Sequence, residues 1–141
     1  MTATLPPAVA RSMETWHGMI ERRDFADLAS IIHPEATFRS PMAFKPYHSR
    51  EAVVLILSTV ITIFENFTYH RQFADDDGLN VVLEFSAGVG DKSLKGIDMI
   101  RFDADGLITE FEVMIRPLNG LQALGAQMGA RLAQYLPAYK G

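Results

Sequence analysis

The sequence predicts an α+β fold: N-terminal helices pack on a curved antiparallel sheet of four or five strands, and a C-terminal helix follows. Two observations predict it. Apolar residues recur at steps of three and four in the N-terminal part of the chain, as on one face of a helix. After Asn66 the pattern changes to period two, in four segments separated by turns rich in Asp and Gly. Helices that cover one face of such a sheet give a cone, which can hold a cavity.

Two helices are predicted before the first strand. Apolar residues from Val9 to Arg22 recur at helical spacing and predict the first. Asp24 can cap a second, short helix, whose apolar pattern continues until Pro34 stops it. Residues 36–40 then alternate around Phe38, which predicts a short strand.

Two further helices are predicted, one before and one after the four strand segments that form the antiparallel sheet. After a proline-containing loop from Ser40 to His48, Ser49 can cap a helix with a wide apolar face. Its many β-branched residues are poor helix formers, so packing must stabilise it. The last helix is predicted over 118–136, after Pro117. The strands between these helices are predicted at 67–73, 79–87, 94–102 and 107–115.

The composition indicates one domain, residues 1–141 with a core at about 9–118, and excludes several functions. Without cysteine there is no thiolate nucleophile, iron–sulfur cluster or disulfide, which fits a reducing cytoplasm. With a net charge of −4, the chain lacks the excess of basic residues that nucleic-acid-binding proteins use to contact phosphates. The longest apolar stretch, 52–64, is too short and polar to span a membrane, and the N-terminus does not resemble a secretory signal. No spacing of His, Asp and Glu favours a metal site, and no cofactor is expected.

The last hairpin separates into two faces. If Asp103 to Gly106 is a four-residue loop, Phe102 pairs with Leu107 and Asp98 with Phe111. The face that holds Asp98 is otherwise apolar: Ile100, Phe102, Phe111, Val113 and Ile115. The opposite face mixes charged and large apolar residues: Met99, Arg101, Ile108, Glu110, Glu112, Met114 and Arg116. We expect the first face to be core and the second to meet water or a partner subunit.

Asp98 is the exceptional residue of the core face. A carboxylate among Ile, Phe and Val must find hydrogen bonds, meet a cation or take up a proton, so its pKa is expected to rise. A neutral carboxylic acid can donate a hydrogen bond to a substrate oxygen that becomes negative in a transition state. The alternative is that Asp98 bonds a backbone amide or Trp16, or lies at a strand end in water.

Other residues are candidates for a site around Asp98. His48, in the loop after Tyr47, and His70, on a strand, are candidate general bases near neutral pH. A converging set of side chains would line a pocket for a flat hydrophobic ligand, whereas the alternative is a solid core. This predicted lining is Phe38, Ser40, Met42, Phe44, Tyr47, Phe64, Phe85, Phe111 and Val113.

Three motifs carry a family resemblance. They are Arg23-Asp24 at a helix end, Pro34-Glu35-Ala36-Thr37-Phe38 with Pro41, and Gly-x-Asp-x-x-Arg-Phe-x-x-x-Gly at 96–106. In this order and spacing, over about residues 9–118, the chain resembles SnoaL-like and ketosteroid-isomerase-like members of the NTF2-like superfamily. The resemblance implies a cone of helices on a curved sheet, often dimeric through the outer face of the sheet. Such cones include isomerases, cyclases, hydratases and non-catalytic domains.

The resemblance also implies site residues. In steroid isomerases of this family a first-helix tyrosine and a late-strand aspartic acid bind the substrate oxyanion, and an aspartate before a proline moves the proton. The late-strand acid matches Asp98, the first-helix position matches Trp16, and the residue before Pro41 is Ser40. Steroid isomerisation is not expected, because an unactivated hydroxyl is a very weak base near neutral pH. Polyketide-cyclase relatives use a late-strand aspartate as general acid/base, a role that Asp98 can take.

The sequence therefore predicts a homodimer whose cone binds a small hydrophobic, oxygenated molecule and acts on it by cofactor-independent acid/base chemistry, as an isomerase, cyclase or hydratase. Asp98 is the predicted acid, Trp16 a wall or second donor, and His48, Tyr47 or His70 the base. The predicted dimer face comprises Met99, Arg101, Glu110, Glu112, Met114 and Arg116. The competing hypothesis is a non-catalytic ligand-binding or dimerisation module of the same fold.

Overall fold

The architecture is a six-stranded sheet with helices against its inner face, in a computed structural model that describes residues 5–133. The elements are α1 (Pro7–Arg22), β1 (Ile32–Arg39), β2 (Tyr47–His48), α2 (Arg50–Ile63), β3 (Glu65–Ala74), β4 (Asn80–Val89), β5 (Lys92–Phe102), β6 (Ile108–Arg116) and α3 (Leu118–Leu132). The strand order is β2-β1-β6-β5-β4-β3, and β1 runs parallel to β6 while the other neighbours are antiparallel. The α+β class is confirmed, with a sheet that is mixed and has six strands.

Helix α1 forms where the apolar periodicity predicts it. Pro7 stands in the first turn, where the missing N–H has no helical partner to lose. The buried face comprises Val9, Ser12, Met13, Trp16 and Met19. The helix ends at Arg22, and the left-handed backbone of Arg23 (φ 53°) turns the chain. The Arg23 guanidinium donates hydrogen bonds to the carbonyls of Ile61 and Phe64 at 2.5 and 3.0 Å, so the ends of α1 and α2 are tied together.

The predicted second helix is wrong. Only a single 3₁₀ turn forms, at Leu28–Ile31, and the chain then enters β1 at Ile32. Asp24 accepts a hydrogen bond from the amide of Ala26 at 3.0 Å in a local turn instead of capping a helix. Steric contact with the proline ring favours extended backbone at the residue before Pro34. The strand therefore begins earlier in the chain than the periodic pattern suggests.

Helix α2 is confirmed, including its cap. The Ser49 hydroxyl accepts a hydrogen bond from the amide of Ala52 at 3.2 Å. Six residues of the helix are buried against the rest of the fold: Ala52, Val53, Ile56, Leu57, Ile61 and Ile63. Packing therefore holds a helix that its β-branched composition disfavours.

The predicted register of the last hairpin is wrong by two residues. Asp98 lies opposite Val113, Ile100 opposite Phe111, and Phe102 opposite Ile108. The loop extends by one residue, to Leu107. A bulge adds one more residue on β6, between the partners of Arg101 and Phe102. An even displacement keeps side chains on their faces, so Asp98 stays on the apolar face as predicted. Ile108 is the exception, because it lies before the bulge and is buried in the core instead of on the outer face.

Helix α3 starts after Pro117 as predicted and approaches the sheet closely. A Cβ at Gly120 would lie 2.9 Å from the Cβ of Leu94 and from the carbonyl oxygen of Ser93. The small residue therefore allows this helix to contact β5. The predicted end of the helix, with Tyr135, lies outside the described residues. No helix in residues 5–133 is long and apolar enough to cross a membrane.

Candidate functional site

A cavity of about 190 Å³ lies between the three helices and the inner face of the sheet. Most of its wall is aliphatic or aromatic, with side chains from α1, α2, α3 and all six strands of the sheet. Five polar or hydrogen-bonding side chains interrupt that wall: Trp16, Ser40, Tyr47, Tyr69 and Asp98. Among the described lining residues, Asp98 is the single carboxylic acid. Such a pocket suits an apolar ligand that carries a few oxygen atoms.

The cavity brings together most of the residues that the sequence nominated. Those on its wall are Trp16, Phe38, Ser40, Met42, Tyr47, Phe64, Phe85, Asp98, Phe111 and Val113. Phe44 is fully exposed in the loop after β1 and does not line the cavity. The apolar character of Phe44 therefore does not indicate burial.

The two histidines proposed as bases lie outside the cavity. His48 is exposed, with its Nδ1 3.3 Å from the Thr37 hydroxyl, and His70 is exposed, with its Nε2 2.7 Å from the Ser86 hydroxyl. Each follows a tyrosine that lines the cavity, and successive strand residues point to opposite faces. The neighbours Tyr47 and Tyr69 thus take the inward positions.

Asp98 is buried and hydrogen-bonded through one oxygen. The Tyr69 hydroxyl on β3 donates to Asp98 Oδ2 at 2.5 Å. Trp16 Nε1 on α1 donates in turn to the Tyr69 hydroxyl oxygen at 2.9 Å. No described residue forms a hydrogen bond with Asp98 Oδ1, while the side chain lies on the cavity wall. One carboxyl oxygen is therefore held by the protein, and the other is available to a ligand.

Trp16 is a positioning residue for this chain of hydrogen bonds. Its ring centroid lies 5.3 Å from that of Phe25 and 5.3 Å from that of Phe111, so aromatic packing holds the indole. Trp16 therefore lies on the wall of the cavity. Its N–H, however, is directed to Tyr69 and not to a ligand.

Burial dominates the acidity of the pair. It raises the pKa of Asp98 from 3.8 to about 7, although the hydrogen bond from Tyr69 opposes the rise by favouring the ionised form. Burial, followed by the charge of Asp98, raises the pKa of Tyr69 well above 10. Tyr69 thus remains a hydrogen-bond donor near neutral pH, while Asp98 is present in both protonation states.

Tyr69 is the functional residue that the sequence reasoning missed. Its signal was the alternation of β3, in which Phe67 and Tyr69 are partly buried while Thr68 and His70 are exposed. The pairing of Tyr69 with Phe85 also places it beside a buried aromatic residue. Neither pattern reveals that its hydroxyl reaches across β4 to Asp98.

Two other hydroxyls on the wall can meet a ligand. The Ser40 hydroxyl accepts a hydrogen bond from the amide of Met42 at 3.0 Å, which leaves its own proton to donate. Tyr47 is 6% exposed, and its hydroxyl has no hydrogen-bond partner within residues 5–133. Over the same residues, no group of three His, Asp or Glu side chains could hold a metal ion.

The Tyr69→Phe substitution is expected to raise the pKa of Asp98 above its value of about 7. Loss of a hydrogen bond to a charged group corresponds to a pKa change of about one to two units, and here the change is upward because the bond favours the ionised form. Carbon-13 NMR titration of the labelled Asp98 carboxyl measures this pKa. Tyr47→Phe is the matched control, because Tyr47 lines the same cavity without a bond to Asp98. An unchanged Asp98 pKa in Tyr69→Phe would contradict the role assigned to Tyr69.

The fold and cavity define a class of protein: an α+β cone with a carboxylic acid in an apolar pocket. Residues 9–111 match the family model of the SnoaL-like domain. The chain belongs to the SnoaL-like family, within the NTF2-like superfamily, which confirms the resemblance found in the sequence. No functionally curated protein matches the sequence.

Solved structures show the same fold. A structure described as a steroid delta-isomerase from Pseudomonas aeruginosa is 58% identical, with a TM-score of 0.92, over 96% of this chain and 99% of that chain. An uncharacterised protein with a cystatin-like fold from Silicibacter pomeroyi DSS-3 is 29% identical, with a TM-score of 0.80, over 94% and 89% of the two chains. The epoxide hydrolase/cyclase-like enzyme SalBIII, described as having a role in pyran ring formation in the polyether salinomycin, is 14% identical. It matches with a TM-score of 0.64 over 79% of this chain and 92% of that chain.

Proposed function

We propose that this protein binds a small hydrophobic ketone or related oxygenated molecule and catalyses proton transfer at a carbon of that molecule. The observation that carries the proposal is Asp98: a buried carboxyl with a pKa of about 7, one oxygen held by Tyr69 and the other free on an apolar wall. A general acid or base is most effective when its pKa lies near the working pH. The 58% identical structure described as a steroid delta-isomerase supports this class of reaction.

The chemistry follows from the two oxygens of Asp98. In its ionised form, Oδ1 takes a proton from the carbon beside a carbonyl group, and the C–H electron pair forms the enolate. The hydroxyl of Tyr47 or Ser40 donates a hydrogen bond to the enolate oxygen. Where the ketone carries a neighbouring C=C bond, the protonated Asp98 returns the proton to the far carbon of the conjugated enolate, and the shift of the double bond gives an isomerised product. Throughout, Tyr69 holds Oδ2, so the carboxyl is oriented in both protonation states.

A ligand of one or two rings suits the cavity. Its 190 Å³ compares with about 150 Å³ for an engineered apolar cavity that binds benzene. A four-ring steroid is much larger than benzene, and Ser40 stands where steroid isomerases of this family have a carboxylate. We therefore propose that Asp98 itself moves the proton and that the physiological ligand is smaller than a steroid.

Deuterium exchange into 2-tetralone, a two-ring ketone, tests the proposal. Exchange at the carbon beside the carbonyl requires the same enolate as isomerisation and does not depend on the identity of the natural substrate. NMR in D₂O is expected to show that the protein accelerates exchange above the buffer rate. Binding of 2-tetralone without faster exchange would instead favour a non-catalytic ligand-binding module, in which the Tyr69–Asp98 bond is purely structural.

We also propose a homodimer through the outer face of the sheet. Met99 and Met114 are 38% and 46% exposed there. Charged neighbours already have partners within the chain: Glu110 accepts from Arg39 at 3.0 Å, and Arg101 donates to Asn80 at 3.2 Å. The two methionines are therefore the apolar surface that a partner would cover. Glu112 and Arg116 flank them and are placed at the edge of the proposed contact.

Met114→Asp is expected to convert the dimer to a monomer at micromolar concentration, because it places a carboxylate in a contact that excludes water. Sedimentation velocity measures the change. Phe44→Asp is the matched control, since Phe44 is also an exposed apolar residue but lies in the loop after β1. A monomeric unmodified protein, or a dimer that survives Met114→Asp, would contradict this interface.

A further inference from the structure

Met42 lies at the edge of the cavity, next to the solvent. It lies in the irregular segment between β1 and β2, near Pro41 and before Pro46. Its side chain is part of the cavity wall, yet the residue is 49% exposed. A residue that contributes to the wall and remains half exposed is the boundary between the two spaces. Methionine suits a movable boundary because its side chain is unbranched and flexible.

The Met42 side chain rests against helix α3 at Gly125. A Cβ at Gly125 would overlap Met42 Cε and would lie 2.9 Å from Sδ and 3.4 Å from Cγ. Only the absence of a side chain at Gly125 provides this seat. One turn further along the same helix, Gly129 also lines the cavity, but a Cβ there would meet no atom of residues 5–133 within 4 Å. The contact with Met42 therefore distinguishes Gly125 from Gly129.

We propose that Met42, seated on Gly125, is the gate of the cavity and the residue that selects ligands by size. The inference rests on the proposed ligand cavity but does not require that the protein be a catalyst. With the thioether on its seat, the closed cavity holds a ligand of one or two rings. A larger ring system requires the Met42 side chain to leave the seat, which the exposed side of the residue permits.

Two fluorescent hydroxyarenes test this selection: 2-naphthol, with two fused rings, and 1-hydroxypyrene, with four. Stopped-flow fluorescence measures the association rate of each, and equilibrium titration measures its affinity. Association that must wait for a conformational change is slow, so Met42→Ala is expected to speed 1-hydroxypyrene association by at least about tenfold. The affinity for 2-naphthol is expected to change by less than about threefold, because this ligand fits behind the closed gate.

Gly125→Ala and Gly129→Ala form a matched pair. Both replace a helical glycine by the best helix former, so neither is expected to impair folding. Gly125→Ala displaces Met42 and is expected to change 1-hydroxypyrene association in the same direction as Met42→Ala. Gly129→Ala leaves Met42 on its seat, and its effect on this association is expected to be smaller than that of Gly125→Ala. In the Met42→Ala background, Gly125→Ala is expected to have no further effect, since the side chain that it displaces is gone.

The outcomes separate the gate from the proposed function. If both probes bind at rates that are equal in the unmodified protein, Met42→Ala and Gly125→Ala, the gate is wrong while the ligand cavity stands. A persisting effect of Gly125→Ala without Met42 would also overturn the gate. If neither probe binds any variant, the gate and the ligand cavity are both wrong. Proton exchange into 2-tetralone, measured separately, decides whether the protein is catalytic.

Discussion

Asp98→Asn is expected to lower the rate of deuterium exchange into 2-tetralone by about 10²–10⁴-fold, the range for loss of a positioned general acid or base. Asparagine keeps the shape of the side chain and can still accept the hydrogen bond from Tyr69, but its amide cannot take a proton at neutral pH. In the unmodified protein, kcat/KM is expected to rise with pH through the Asp98 pKa of about 7, because only the ionised form takes the proton.

His48→Gln and His70→Gln are the controls for this substitution. Both histidines are exposed outside the cavity, so exchange is expected to proceed at the unmodified rate. Binding of 2-tetralone by Asp98→Asn shows that the cavity is intact. Full exchange activity in Asp98→Asn would remove Asp98 from the mechanism, and loss of activity in either histidine variant would return that histidine to it.

The same substitution is expected to stabilise the protein in alkaline solution. The folded-state pKa of Asp98 is raised, so between pH 3.8 and about 7 the folded protein holds a proton that the unfolded chain has lost. The unmodified protein therefore loses stability as pH rises through this window. The change in pKa from 3.8 to about 7 corresponds to about 4 kcal/mol.

Urea unfolding at pH 4 and pH 8 measures this effect. Asp98→Asn lacks the ionisation, so its free energy of unfolding is expected to exceed that of the unmodified protein by up to about 4 kcal/mol at pH 8 and to approach it near pH 4. Asp91→Asn is the control, because the Asp91 side chain is 89% exposed. If the free energy of unfolding differs between Asp98→Asn and the unmodified protein by the same amount at both pH values, the pKa of Asp98 is the same in the folded and unfolded states, which would contradict the prediction.

The two predictions concern one physical property with opposite consequences. Burial that brings the pKa of Asp98 close to neutrality makes the carboxyl an effective proton carrier and also makes its ionised form costly. A different carboxylate shows the contrast. Glu84 on β4 accepts two hydrogen bonds from Arg71 at 2.7 Å and one contact from Lys95 at 3.0 Å. These hydrogen bonds lower the pKa of Glu84 to about 2, so it is a structural ion pair and not a proton carrier.

Local patterns were sufficient for most elements and for the central acid. Strand alternation placed Asp98 on the apolar face, and the face assignment survived a register error because that error was an even number of residues. The prediction of a helix after Asp24 was wrong, because four apolar residues fit a single turn followed by a strand as well as they fit a helix. Short segments contain too few repeats to distinguish the two periods.

The partner of Asp98 was outside the reach of such patterns. Tyr69 and Asp98 lie 29 residues apart on strands that are not neighbours in the sheet, with β4 between them. The same limit applies to Met42 and Gly125, which lie far apart in the sequence, in the segment after β1 and on α3. A contact of this kind depends on side-chain directions in two elements and on the curvature of the sheet between them.

The sequence by itself determined the fold class, the family and the presence of one acid on an apolar face, because hydrophobic periodicity and short motifs are properties of neighbouring residues. The tertiary structure alone decided which residues face that acid: Tyr69 holds it, while His48 and His70 point away. Those contacts depend on the packing of distant segments and the resulting burial. Burial in turn sets the pKa of Asp98, the property on which the proposed chemistry depends.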